Sequence, residues 1–497
     1  MAARNARPKP SKKDGPPSAA SNERSPTASD GRSPGSAKGP SPARERSRYR
    51  PLPTGTHGLD PAVVKRDQRD RLQNAMVELI AQKGYRAVRI VDLAKLARVS
   101  QPTFYCLYAD KEDLFLSAYE EIAERSAKTV IEAYGVDDSH EDRLLVAMGA
   151  FAELAAAEPE AVSLLVLGAF GAGAKALERR RRTLKALEGR IRVGRDGASA
   201  KDTTDLTVKV ILGGIREVTA ARLRRGRERE LPGLVGELTA WAGSYPRRLP
   251  SGLAAPPTSP RAGAGRCQIP ASERARRAQG RLPSGRSNLP RQFIVKSQRE
   301  RIVDATAAIV AEKGLAALTI PEIARRANVS HQTFYAIYES KHDAFLGAQK
   351  VGMHQALQVA IEAYGEHGDD WPCAVAAGLR ALIDYLASEP AHAHLSLVDT
   401  FAASPEAIEI RNTTMNAFAA YLSPGYELAP ADVEVPVIAG EAIAGGIWQV
   451  LHHYIENDCI AELPGAAPQL IYMALTPFLG PQRAACAATG SALGAAS

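Results

Sequence analysis

Cysteine is scarce. The 497 residues hold five, Cys106, Cys267, Cys373, Cys459 and Cys486, far apart and with no CxxC pair. That spacing argues against a disulfide framework and against a structural zinc site, and it makes a reducing cytoplasm the default compartment. No apolar run approaches the roughly 18 residues that a membrane helix needs, so no membrane span is expected. The opening stretch, MAARNARPKPSKKDGPPSAASNERSPTASD, has no apolar segment and does not read as a signal peptide. P-loop, GxSxG and dinucleotide-binding fingerprints are missing, which leaves an enzyme as the weakest class. Nor does any stretch alternate with the period of two expected of a strand.

What is present is a hydrophobic share of 45%, enough for two or three folded domains in a chain of this length. The formal charge is +8, but it is unevenly placed. Residues 1–60 carry a net charge of +7 and residues 247–291 one of +9, so the remainder is acidic. Both basic stretches are rich in Pro, Ser, Gly and Arg. They hold too little apolar surface to offset their chain entropy, and they read as a disordered tail (1–60) and a flexible linker (249–291). Their charge fits either solubilising segments or a general attraction to nucleic-acid phosphates. Residues 481–497, small and Ala-rich, read as a second disordered tail.

Between these segments the chain repeats itself. Residues 68–135 align without a gap on residues 298–365, with 27 identities. Weaker echoes follow: 157–170 matches 388–401, GGIREV (213–218) matches GGIWQV (445–450), and ELPG occurs at 230–233 and 462–465. A period this long marks a duplicated domain rather than a solenoid. Both copies read as all-α. Leu72, Ala75, Met76, Leu79 and Ile80 recur at helical spacing, as do Ile302, Ala305, Ile309 and Val310, with Gly84 and Gly314 as stops.

Each copy then offers a short amphipathic helix, a tight turn (ARVS or ANVS) and a second short helix, VSQPTFYCLY or VSHQTFYAIY. Two helices joined by such a turn form a helix-turn-helix, whose second helix enters the DNA major groove. Helical geometry turns Phe104 and Tyr108 inward and Gln101 and Tyr105 outward. In the second copy Phe334 and Tyr338 point in, and His331, Gln332 and Tyr335 point out. Ser100 is expected as N-cap, with Pro102 tolerated in the first turn. A Gln at a helix start can pair with adenine, and Thr103 or Thr333 can reach a base or phosphate. Lys111 and Lys341 open the next helix, a place suited to phosphate.

The pattern from the first helix through DLAKLARVSQPTFYCLYADKEDLF, and again TIPEIARRANVSHQTFYAIYESKHDAF, resembles the DNA-binding domain of TetR-family transcriptional regulators. The resemblance implies a helical bundle after each reading head that binds a small effector and pairs through its last two helices. It implies domains at 61–118 and 119–248 in copy one and at 292–348 and 349–480 in copy two. It also implies a double-stranded DNA operator and a small-molecule effector as partners, and DNA contacts from Arg89, Ser100, Gln101, Pro102, Thr103, Tyr105 and Lys111, and from Thr319, Ser330, His331, Gln332, Thr333, Tyr335 and Lys341. Two departures stand out. Arg98 and Asn328 replace the usual turn glycine, and Arg should pay roughly 1 kcal/mol there. Arg89 replaces the N-capping Thr that copy two keeps as Thr319, a loss of about 1 kcal/mol that adds a cation for phosphate.

Family members read palindromes as homodimers. A fused tandem can form the pair within one chain, because 43 linker residues span about 35–40 Å at an effective concentration near millimolar. Unlike heads would then read an imperfect palindrome. Two rivals stay open: two chains pairing copy with copy, and a copy one that has lost DNA recognition and serves as a dimerisation module. The basic run 177–195 in copy one reads as a solvated face or as a second surface for nucleic acid or an acidic partner. Copy two is the more apolar, so an effector is placed there, with Tyr385, Phe401 and Trp448 as candidate lining residues. His392, His394, His452, His453 and Glu456 lack a third committed ligand for a metal, so no metal or cofactor is assigned. A ligand-responsive repressor on the cytoplasmic nucleoid is the expectation.

Overall fold

The computed structural model describes residues 49–50, 59–133, 140–168, 172–196, 206–250, 252–253, 255 and 290–490. Most of the two basic segments therefore lies outside the described residues. Among the described residues every regular element is helical.

Copy one runs α1 (Pro61–Ala87), α2 (Ile90–Ala97), α3 (Gln101–Leu107), α4 (Lys111–Ala133), α5 (His140–Ala157), α6 (Pro159–Val166), α7 (Ala174–Asp196), α8 (Thr207–Arg224) and α9 (Val235–Gly243). Copy two repeats the plan as α10 (Arg291–Lys313), α11 (Ile320–Ala327), α12 (His331–Tyr335), α13 (Lys341–Gly365), α14 (Trp371–Ser388), α15 (Pro390–His394), α16 (Thr400–Ala403), α17 (Pro405–Tyr421), α18 (Pro424–Leu428), α19 (Ala439–Glu456) and α20 (Ala467–Leu479). The expected stop at Gly314 caps α10 with φ 83°. At Gly84, φ 74°, the chain only kinks, and helix resumes to Ala87.

Two expectations are corrected. Residues 481–489 are not a loose tail: they form α21 (Pro481–Thr489), ended by Gly490 in the left-handed conformation. Alanine has the highest helix propensity, and Ala484 and Ala488, one turn apart, are buried in the core. The stretch read as linker also begins packed. Leu253 and Ala255 are buried, and the Ala255 amide donates to Gln469 Oε1 of α20 at 3.2 Å.

The two bundles share one hydrophobic core. It runs from Met148, Val162 and Trp241 of copy one into Leu382, Tyr454 and Phe478 of copy two. Its centre is the crossing of α8 and α19, the helices carrying the GGIREV and GGIWQV echoes. A Cβ placed on Gly213 would stand 2.5 Å from Gln449 Cβ, and one on Gly446 would stand 2.5 Å from the Val210 carbonyl oxygen. A Cβ on Gly214 would stand 2.5 Å from the Ala442 carbonyl oxygen. Only residues without a side chain let the two backbones approach this closely.

Polar contacts flank the crossing. Arg411 of α17, 1% exposed, donates through Nη1 and Nη2 to both carboxylate oxygens of Glu217 at 2.7 Å. Arg222 Nη1 donates to Glu441 at 2.7 and 3.0 Å, and Arg216 donates to Gln449 Oε1 at 2.7 Å. Glu237 of copy one accepts from the Ile438 amide at the start of α19, at 2.9 Å.

Adding a methyl at the crossing tests its closeness. Gly446→Ala should cost about 1–3 kcal/mol by overpacking, read as a lower midpoint in thermal unfolding. The acid side tests the charges. Burial raises the Glu217 carboxyl, but Arg411 and Arg224 outweigh it and hold the group down to about 2, against an ordinary 4.5. Burial pushes His452 and His453 down to about 4, from 6.5. Both imidazoles are thus neutral in the fold and charged in the unfolded chain below 6.5, so they withdraw stability as pH falls from about 6.5 to 4. The Glu217 contribution, fully present above 4.5, is lost as pH falls from there toward 2. Denaturant midpoints measured between pH 8 and 3 should decline first over the histidine window. A flat profile from 6.5 to 4 contradicts it.

Candidate nucleic-acid interface

The reading heads are built from the turn outward. In copy one Arg98 sits at φ 53°, ψ 46°, and in copy two Asn328 sits at φ 51°, ψ 51°. Both are left-handed, as the missing glycine implied. The turn closes with the Val99 amide on Ala94 O at 2.9 Å and the Val329 amide on Ala324 O at 3.0 Å. The strained carbonyls gain a partner the sequence did not suggest. Arg71 Nη1 donates to the carbonyls of Ala97 and Arg98 at 2.6 and 3.1 Å, and Asp67 holds the same guanidinium at 2.8–2.9 Å. Arg301 repeats the clamp on Ala327 and Asn328 at 3.1 Å. A signal was available, because Arg71 and Arg301 are identical at the aligned position.

Ser100 accepts the Thr103 amide at 3.2 Å, and Ser330 accepts the Thr333 amide at 3.0 Å, so each recognition helix is N-capped. The hydroxyls of Thr103 and Thr333 are tied to the same serines at 2.7 and 2.9 Å. Phe104 and Phe334 are fully buried, with Tyr108 and Tyr338 beside them. Facing out are Gln101, Pro102 and Tyr105 on α3, and His331, Gln332 and Tyr335 on α12. Tyr105 is 56% exposed and Tyr335 58%, large aromatic surfaces in matching places.

Each of the three expected cations is engaged within its own head. Lys111 Nζ turns inward, donating to the carbonyls of Tyr85 and Val88 at 3.0 and 2.9 Å over the Tyr85 ring. Burial lowers its pKa. Lys341 Nζ donates likewise to Leu318 O at 2.9 Å. Tyr85 lies in the last turn of α1, where its carbonyl also takes the Val88 amide, and Val88 and Leu318 follow the first helix, so the ammonium groups fasten the end of the first helix to α4 and α13. Arg89, 77% exposed, is held by Asp92 at 3.0–3.2 Å. The same carboxylate accepts the Arg89 amide at 3.4 Å and Lys83 at 2.7 Å, partly replacing the missing cap. Arg89 and Lys83 hold Asp92 well below the usual carboxylate range. Thr319 is the cap it was expected to be, accepting the Glu322 amide at 3.4 Å.

In copy two the head is joined to its bundle by a buried polar link. His392 Nε2 of α15 lies 3.1 Å from Asp304 Oδ1 of α10. The matching positions in copy one are Ala161 and Asn74, so the link belongs to copy two. Among the described residues no three His, Cys, Asp or Glu side chains converge as a metal site.

An apolar cavity of about 80 Å³ lies inside the copy-two bundle, lined among others by Met353, Leu382, Phe418, Ile447, Trp448 and Leu451. Of the three residues expected there only Trp448 is present. Tyr385 turns its hydroxyl to Gln355 Oε1 at 3.1 Å and does not reach the cavity. Phe401 lines a separate polar cleft, stacked near the Arg411 guanidinium at 5.2 Å.

The family comparison falls on the same two heads. The model of bacterial regulatory proteins of the tetR family matches twice, at residues 74–118 and 302–347. The chain carries the tetR-family domain twice, in tandem. Both matches fall on the helix-turn-helix heads, in a family described as bacterial regulatory proteins. Solved structures to which it is similar include the fatty acid degradation regulator FadR of Bacillus halodurans, with 20% identity, 35% of this chain and 94% of that one covered, and a TM-score of 0.33. FadR of Bacillus subtilis, solved with stearoyl-CoA, has 21% identity, coverages of 35% and 96%, and a TM-score of 0.32. A TetR-like regulator of Rhodococcus sp. RHA1 has 18% identity, coverages of 37% and 98%, and a TM-score of 0.31. A search of curated proteins finds no match.

Removing the clamp tests the build of the head. Arg71→Ala leaves two carbonyls beside a left-handed arginine without their charged donor. It should cost about 1.5–3 kcal/mol and speed hydrogen exchange in residues 97–100. Unchanged exchange there sinks the clamp.

Proposed function

We propose that this chain is a ligand-responsive transcriptional regulator, a repressor by default, that binds an imperfect DNA palindrome as a single-chain pseudo-dimer in the cytoplasm. The observation carrying this reading is the seam between α8 and α19. It joins two reading heads whose outward residues differ, Gln101-Pro102 against His331-Gln332. Two-fold pairing of heads mirrors two-fold operators, and unlike heads suit unlike half-sites. Gln101 and Gln332 are the adenine-reading candidates, Tyr105 and Tyr335 the shared contacts, and Thr103, Thr333 and His331 further contacts to base or phosphate.

The seam's charges favour unlike pairing. Glu441 corresponds to Lys209 in copy one, so two copies of type one would set Arg222 against a lysine. Glu217 corresponds to Gln449 in copy two, so two copies of type two would leave the buried Arg411 opposite an amide. Breaking a buried ion pair in this way costs about 3–5 kcal/mol. The effector site we assign is the apolar cavity of copy two, which takes an apolar ligand body. Its wall includes Leu397, on the turn that follows the His392–Asp304 link to the head.

Sedimentation and DNA selection test this together. The full chain should sediment as a monomer of 53.0 kDa and enrich two related but unequal half-sites from random DNA. Tyr105→Ala and Tyr335→Ala should each weaken operator binding by roughly 5–150-fold, the equivalent of 1–3 kcal/mol. Loss only with Tyr335→Ala moves copy one to a purely structural role. Loss with neither, or a larger particle in solution, refutes the pseudo-dimer on its operator.

A further inference from the structure

Beside the α8–α19 crossing lies a second cleft, of about 30 Å³, walled by both copies. Its lining carries four guanidinium groups, Arg180, Arg216 and Arg224 from copy one and Arg411 from copy two, against the single carboxylate of Glu217. Glu217 is already shared, taking Arg411 through two bonds and Arg224 at 2.8 Å. Glu456 stands near Arg180 outside the lining, 3.5 Å from Arg181. The lining thus keeps an excess of positive charge.

That excess is expensive where it sits. Arg411 is 1% exposed and Arg180 4%. Burial pushes Arg216 down to about 9, and neighbouring Arg180 pushes it the same way. Like charges gathered in a low-dielectric site call for a counter-charge. Two buried donors on the lining also have no acceptor among the described residues, Arg411 Nε and Trp448 Nε1, and Trp448 is 8% exposed. Fixed guanidinium groups suit the paired oxygens of a carboxylate or phosphate.

Trp448 is the wall common to this cleft and the apolar cavity of copy two. We propose that the cleft is an anion site shared between the two copies, taking a small oxyanion group, with Arg216, Arg411 and Trp448 as its donors. The oxyanion is either the acid head of an effector whose apolar body occupies the neighbouring cavity, or a free anion. Because copy one supplies most of the cations and copy two the indole, an occupant ties the bundles together across their seam. The cavity's role as effector site rests on the function proposed above; the charge argument for the cleft stands without it.

Calorimetric titration of the full chain decides it, using sodium octanoate, 1-octanol and inorganic phosphate at matched ionic strength. Saturable binding of octanoate, at least tenfold tighter than octanol, assigns the cleft to an effector's acid head. Saturable binding of phosphate assigns it to a free anion. Arg216→Gln should weaken either anion at least tenfold and leave octanol unchanged, since it does not line the apolar cavity and can still bond Gln449. Trp448→Phe keeps the wall, loses the indole donor, and should weaken anion binding as a second variant. Circular dichroism melts check that both variants fold. Binding of neither anion above the ionic-strength control overturns the proposal, as does anion binding unaffected by both variants. Operator binding measured on the same samples separates this failure from failure of the DNA-binding reading.

Discussion

Two helix backbones in near contact organise this molecule. Gly213 and Gly214 of α8 lie against α19 with its Gly445 and Gly446, and the space a Cβ would need is filled by the opposing helix and, at Gly214, also by the Trp241 ring of α9. Close approach increases the apolar surface removed from water on both sides and fixes the crossing, because no side chain remains to slip. Everything charged at the seam follows from that fixed geometry. Arg411 meets Glu217 and Arg222 meets Glu441 only when one partner is copy one and the other copy two. A single continuous core then makes the two bundles one folding unit rather than two beads on a string.

The reading heads depend on a different constraint, a left-handed residue in a three-residue turn. Natural sequences favour glycine there; this chain uses Arg98 and Asn328 and compensates with a clamp from the first helix. Asn328 suits the conformation better than Arg98, and the copy-one clamp is correspondingly more elaborate. Arg71 is buried and steadied by Asp67, whereas the clamp bond from Arg301 to Asn328 is exposed. The Lys111 and Lys341 hooks serve the same end. A lysine at a helix start looks like a phosphate contact when only sequence is visible, because the carbonyls it satisfies lie 23 to 26 residues upstream.

Local features were therefore the legible ones. Helix periodicity, the serine caps, the inward Phe-Tyr pairs and the outward tyrosines depend on spacing within a turn or two, and the structure has them where spacing put them. The duplication was legible because it needs only self-comparison. What escaped were contacts between distant segments: the Arg71 clamp, the glycine crossing, and the separation of Tyr385 and Phe401 from the cavity that Trp448 lines. Composition misled in one place. Ala-rich residues 481–489 looked like a tail, but alanine packs well wherever a helix needs a narrow face, and two alanines one turn apart sit in the core.

A seam whose two halves belong to one polypeptide has a consequence for concentration. In an ordinary homodimer, assembly is second order, and the active species thins out faster than the protein does on dilution. Here the partner of α8 is on the same chain, and the stretch that leaves copy one packs early, with Leu253 and Ala255 buried and the Ala255 amide on Gln469 of copy two. Assembly of such a pair within one chain would be first order. For the single-chain pair proposed above, the fraction of chains with a formed seam would be the same at one molecule per cell as at a thousand, and the response to falling protein level would be linear rather than quadratic.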